Sequence, residues 1–165
     1  MENQDVVLLN ADFMIKSILY AFGLQNLDSV HHFLSDDCYE TLNEKIKLME
    51  DRKEQYVFED LDTKCMLNRE FDTVDGHCIE VLCTCKGIYY LLSPLQIITE
   101  EEKTKRRSFN VKVLLEKKND AKRKDYAICS GCGKSFDIKI HSTCPQCGRI
   151  YDLANFDYII KEIDI

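Results

Sequence analysis

CSGCGKSFDIKIHSTCPQCGRIYDLANFDYIIKEIDI, residues 129–165, holds two Cys-x-x-Cys pairs followed by a run rich in β-branched and aromatic side chains. Cys129 and Cys132 form one pair; Cys144 and Cys147 form the other after a gap of eleven residues. A tetrahedral ion needs four soft ligands on rigid turns, and each Cys-x-x-Cys loop sets two sulfurs at chelating separation. Gly133 and Gly148 follow the second cysteine of each pair. Glycine permits the left-handed backbone that turns amide N–H groups toward the thiolates. Pro145 stiffens the second loop. The motif predicts a closed, structural Zn²⁺ site; iron is the alternative ion, disfavoured by the short gap. Lys134, Lys139 and Arg149 are placed to offset the negative charge of four thiolates, and His141 reads as an exposed residue between the pairs.

The chain does not finish with the cysteines. Phe156, Tyr158, Ile160 and Ile163 are spaced for a strand, and a strand of that quality needs a sheet. The nearest sheet lies before Cys129. CIEVLCTCKGIYYLL places Ile79, Val81, Cys83 and Cys85 on one side. RSFNVKVLLEKK places Phe109, Val111, Val113 and Leu115 on one face and Asn110, Lys112 and Leu114 on the other. That alternation suits an antiparallel sheet with one covered face and one wet face. The cysteine segment therefore reads as an insertion before the last strand, not as a tail.

Helices come first. Ala11, Met14, Ile15, Ile18, Leu19 and Phe22 form one apolar stripe, with Asn10 as the expected N-cap and Gly23 as the stop. A short helix is expected from about Asn26 with Leu27, Val30 and Leu34 inward. Ser35 opens a third, carrying Tyr39, Leu42, Ile46 and Met49. Helices grouped before strands predict an α+β fold, N-terminal helices packed on a curved, cone-like antiparallel sheet, with a zinc ribbon inserted before the last strand. The expected layout is one domain, 1–165, with helices over about 10–54, sheet over about 55–128, the four-cysteine ribbon at 129–148 and the final strand at about 155–164.

The nine cysteines, odd in number and twice paired as Cys-x-x-Cys, point to metal in a reducing compartment rather than to disulfides. Cys38, Cys65, Cys78, Cys83 and Cys85 read as small core residues. The net charge is -7. An acidic body disfavours broad nucleic-acid binding. Residues 103–124 nonetheless hold ten Lys/Arg against two acidic residues. Lys103, Lys105, Arg106, Arg107, Lys117, Lys118, Lys122, Arg123 and Lys124 are the candidate patch for an acidic partner or an anionic membrane surface. No apolar run approaches the roughly 20 residues of a membrane span. MENQDVVLLNADFMIK is acidic ahead of its apolar run, unlike a secretory leader. A cytoplasmic protein, peripheral to a membrane at most, is expected.

The order of an amphipathic helix, then NLDSVHHFLSDDCYETL, then long strands, then CSGCGKSFDIKIHSTCPQCGRIYDLANFDYIIKEI resembles a known family. It is similar to bacterial proteins carrying the domain of the mitochondrial import-motor tether, the forty-four-kilodalton inner-membrane subunit (Tim-forty-four-like), in the subset with a zinc ribbon before the last strand. The resemblance covers about residues 10–165 and implies a cone-shaped fold of the nuclear-transport-factor-two type. It further implies a scaffold that binds protein partners near anionic membranes. Family members often carry Trp in the final strand, where this chain has Tyr158. No catalytic residues carry over; only the four cysteines do.

Three function classes follow. The favoured one is a non-catalytic, zinc-stabilised interaction module. The second is an acid–base enzyme or small-molecule binder using the cone pocket, with Asp12 and Tyr20 eight residues apart on the first helix. His31 and His32 point about 100° apart on a helix, too divergent to chelate together, and His77 reads as an exposed turn residue. The third is a zinc-ribbon nucleic-acid binder, disfavoured because Phe136 is the only aromatic residue within the ribbon, 129–148. Leu82 and Leu114 on the open sheet face would suit a homodimer.

Overall fold

Helix α1, Gln4–Gly23, buries its stripe as expected: Ala11, Met14, Ile15, Ile18, Leu19 and Phe22 are each at most 1% exposed. This computed structural model describes residues 4–118, 126–128, 132–137, 144–148 and 158–165. Asn10 is interior to α1 rather than its cap. The helix extends further back because Val7 and Leu8 also pack on the core, and burial outweighs capping in fixing where a helix starts. The next segment, Asp28–Phe33, is a 3-10 turn that buries Val30 and Phe33, with Leu27 and Leu34 buried beside it. Helix α2, Asp36–Asp51, is capped by Ser35, whose Oγ accepts from the Cys38 N–H at 3.2 Å. Asp36 and Asp37 in its first turn suit the helix dipole, and Leu42, Ile46 and Met49 face inward.

Strands β1 (Gln55–Asp72), β2 (Gly76–Leu92), β3 (Arg106–Lys118) and β6 (Ile159–Asp164) form one open antiparallel sheet in the order β1-β2-β3-β6. The molecule is thus α+β. A short helix α3, Glu100–Thr104, capped by Thr99, joins β2 to β3. The face toward the helices carries Ile79, Val81, Cys83, Cys85, Val111, Val113 and Leu115, all buried, which is the alternation the sequence predicted. Among the described residues, strands β4 (Tyr126–Ile128) and β5 (Ser135–Asp137) pair with each other in a separate two-stranded sheet.

Two bulges break β1, between Glu59 and Asp62 and between Leu67 and Arg69, and bulges bend a strand and steepen its twist. The first is tight. Asp60 takes φ 51, and a Cβ built on Gly87 across the pair would lie 2.9 Å from the carbonyl oxygens of both Glu59 and Asp60. Only glycine lets β2 pass the bulge. Gly87→Ala is expected to destabilise by about 1–3 kcal/mol, the range for overpacking against atoms that cannot swing away. A urea midpoint equal to that of the wild type would contradict this.

The last strand does rejoin the sheet. β6 pairs antiparallel with β3 through Lys112↔Asp164, Val113↔Ile163 and Leu115↔Ile160, with a register shift between Leu114 and Leu115. Ile160 and Ile163 are an odd number apart, so a regular strand would send them to opposite faces; the shift lets both face the helices. On its other side β6 meets the start of the helical layer. Leu34 bridges to Ile160 in parallel, and Ser35 N–H donates to the Ile160 carbonyl at 2.9 Å. Phe156, expected in this strand, lies outside the described residues. Tyr158 is 6% exposed, with Lys117 Nζ 5.8 Å from its ring centre.

The opposite face carries a polar network where alternation allowed for a wet surface. Glu80 is only 3% exposed because Lys112, Asn68 and Arg69 close over its carboxylate at 2.8, 3.0 and 2.5 Å. Lys112 and then Asn68 and Arg69 hold the Glu80 carboxyl down at about 2, against an opposing push from burial. A folded-state value below the unfolded one means this stabilisation is complete above about pH 4.5 and is lost as pH falls toward 2. Glu80→Gln should therefore be less stable than wild type at neutral pH, with the gap closing below about pH 3. Parallel curves across that window would refute the assignment. Leu82, 38% exposed, and half-buried Leu114 flank this network.

Candidate metal centre

Cys132 follows β4 and precedes β5, and Cys144, Pro145 and Cys147 lie on the turn after β5. The sulfurs of Cys132, Cys144 and Cys147 all lie within 4.8 Å of one another, and Cys132 Sγ is 3.6 Å from Cys144 Sγ. Tetrahedral zinc with bonds of about 2.3 Å holds its sulfurs about 3.8 Å apart. This set can hold a metal ion. Gly133 and Gly148 take φ 74 and 77, the left-handed conformation expected of them, and the Gly148 N–H closes the second turn on the Cys144 carbonyl at 2.8 Å. Cys144 is 1% exposed, whereas Cys132 and Cys147 are exposed. Cys129, Lys139, His141 and Arg149 lie outside the described residues; Lys134 is exposed beside the first turn.

No family model matches this chain, and no curated protein matches it.

Asp12 and Tyr20 do not converge on one site. The Tyr20 hydroxyl accepts from the Leu61 N–H at 3.0 Å, which fixes it to the sheet, while Asp12 receives a hydrogen bond from Cys65 at 4.0 Å. Neither lines the cleft of 470 Å³ between α2 and β6, which is walled by Asp37, Cys38, Thr41, Asp75, Glu116 and Lys161 among others. Burial pushes the Cys38 thiol there up to about 11. His31 stacks on Tyr39 at 3.7 Å, and His32 packs against the Phe33 ring. His77 is a correction: it is the second residue of β2, not an exposed turn residue. Asp72 and Glu70 each approach its ring at 2.5 Å, and these bonds raise its pKa above the ordinary histidine value.

The basic segment is divided. Lys103, Lys105, Arg106 and Arg107 cluster at α3 and the start of β3, whereas Lys117 stands at the far end of that strand, roughly 35 Å away at the rise of an extended chain. Lys122, Arg123 and Lys124 lie outside the described residues, as does the side chain of Lys118. Near the first cluster, beyond the C-terminal end of α1, sits a feature that alternation did not reveal. Tyr56, Phe58, Tyr89 and Phe109 make a half-buried aromatic group, with ring centres 5.8 Å apart for Tyr56 and Phe58 and 4.7 Å for Tyr89 and Phe109. Arg107 lies over Tyr89 at 6.0 Å. Leu95 and Ile97, on the connection that follows β2, are 96% and 91% exposed. Among the described residues, no helix is long and apolar enough to cross a membrane.

Proposed function

We propose that this chain is a non-catalytic interaction module, stapled by a four-cysteine zinc ribbon in which Cys129 completes the set begun by Cys132, Cys144 and Cys147. The observation that carries the reading is the gathering of three sulfurs at two left-handed glycine turns, in the segment that precedes β6. Four thiolates fill a tetrahedral ion and leave no position at which it would activate water, so the ion contributes folding energy. Helices on one face of a bent antiparallel sheet agree with the cone-like, import-tether resemblance without depending on it.

The binding surface we favour is the aromatic end of the helix-facing side: Tyr56, Phe58, Tyr89 and Phe109 with Arg107. Rigid rings and arginine dominate the energetic centres of protein interfaces, because they bury large area at small entropic cost. At its rim Lys103 pairs with Glu100 at 3.3 Å and Arg106 with Asp62 at 3.4 Å. The rings rather than net positive charge therefore favour the partner, a segment that is apolar. The test is affinity capture from the native host with membranes retained, followed by reconstitution from purified components. Tyr89→Ala and Arg107→Ala should each weaken the reconstituted complex at least about thirtyfold, the effect of losing a hot-spot contact. Unchanged affinity in both variants would overturn this surface. Binding to anionic vesicles that survives physiological salt would reassign it to a membrane.

A further inference from the structure

Alternation along β2 brings Cys83 and Cys85 to the same face, and the register of β1 sets Cys65 directly opposite Cys83. Helix α1 lays Asp12 over them. The sulfurs of Cys65 and Cys83 and a carboxylate oxygen of Asp12 lie within 4.8 Å of one another, and Cys85 Sγ stands 4.0 Å from Cys83 Sγ. The 4.0 Å between Cys83 and Cys85 is close to the sulfur–sulfur spacing of about 3.8 Å in a tetrahedral zinc site. Cys85 stands outside the group formed by Asp12, Cys65 and Cys83, so an ion would draw the four side chains inward.

We infer that Asp12, Cys65, Cys83 and Cys85 form a second cation site, between α1 and the sheet, that takes a thiophilic divalent ion of the zinc type. Packing alone explains the cysteines but not the carboxylate. Among the described residues Asp12 forms no ion pair, and its hydrogen-bonding partner is the Cys65 thiol. A half-buried carboxylate facing sulfur loses hydration with no ion pair among the described residues to offset it, and a divalent ion removes that cost. Three sulfurs select zinc over magnesium or calcium, and the hard oxygen ligand disfavours Cu(I). Cys83 and Cys85 are 0% exposed and close the site on the sheet side, while half-buried Asp12 and Cys65 give the ion its way in. Lys16, one helical turn beyond Asp12, adds positive charge beside Cys83 and Cys85. The four ligands come from α1, β1 and β2, none of which contributes to the ribbon. The site therefore stands whether or not the ribbon binds metal.

The experiment is a Zn²⁺ titration of the full apo chain against a chromophoric chelator, repeated with Co²⁺ to read thiolate-to-metal charge transfer. Wild type should take up two equivalents. Cys144→Ser should keep one, with a cobalt spectrum of fewer thiolate ligands than the ribbon gives. Asp12→Asn is isosteric and half-exposed, so the fold is retained; it should weaken the second equivalent by more than about a hundredfold, beyond the roughly 10–100-fold typical of changes outside the ligand shell. Cys83→Val should remove that equivalent altogether. If wild type binds one equivalent and Cys144→Ser none, the inference is overturned and the ribbon survives. If Cys144→Ser retains every equivalent that wild type holds, and Asp12→Asn loses one, the ribbon fails and this site stands.

Discussion

Cys144→Ser is expected to lower the metal content by one equivalent and to leave the sheet standing. Cys144 is the buried member of the three gathered cysteines, so its loss removes the ligand most shielded from water. A structural zinc contributes on the order of 10 kcal/mol to a knuckle that is unstructured without it. The main core depends on none of it: Ile18, Val81, Val113 and Leu115 are 0% exposed among α1, β2 and β3. Proteolysis between residues 126 and 148 should accelerate sharply in the variant or on chelation, while the melting of the sheet shifts by only a few degrees. Protein purified without chelator that carries no metal would end the ribbon reading. Equal proteolytic protection in both proteins would show that the ion, if bound, staples nothing.

Ile160→Ala carries the second large effect, about 2–5 kcal/mol for truncating a fully buried isoleucine. Its side chain is 0% exposed and packs in the core opposite Leu115, so the cost is that of the lost side-chain burial; the Ile160 carbonyl that accepts from the Ser35 N–H is kept in the variant. Ile163→Ala, at a half-buried position on the same side, should cost clearly less. The ratio between the two urea midpoints reads the register shift directly, since a regular strand would bury only one of them. A cost below about 1 kcal/mol at Ile160 would mean that β6 is not docked as described.

The helices and the alternating strands were legible because each obeys one period. The stripe from Ala11 to Phe22 and the face from Ile79 to Cys85 need no knowledge of neighbours. Ser35 was legible as a cap because a short side-chain oxygen ahead of Asp36 and Asp37 has a local purpose. The start of α1 was not, since it follows from Val7 and Leu8 meeting a core that the local sequence does not contain. The ribbon pattern is local too, and three of its cysteines do gather. The thiol cluster around Cys83 is the opposite case. Cys65 reaches Cys83 only after the bulge at Leu67–Arg69 has reset the register of the β1–β2 hairpin, and bulges leave little trace in composition. The aromatic end of the sheet was hidden for the same reason: Phe58 and Tyr89 are partners across β1 and β2, not neighbours in the chain. His77 read as a turn residue from its glycine, yet the pairing of β1 with β2 gave it two carboxylates.

The bridge from Leu34 to Ile160 also bears on how the molecule comes to exist. It joins a segment made early in translation to one made after every other strand of the sheet. Until β6 emerges, the inner edge of β3 lacks its partner, and α2 lacks the carbonyl that anchors its first turn. Contacts this remote in the chain are slow to form, and an uncovered strand edge is the feature that invites wrong pairing. The free border of β3 therefore stays open to wrong pairing until the closing strand has been made.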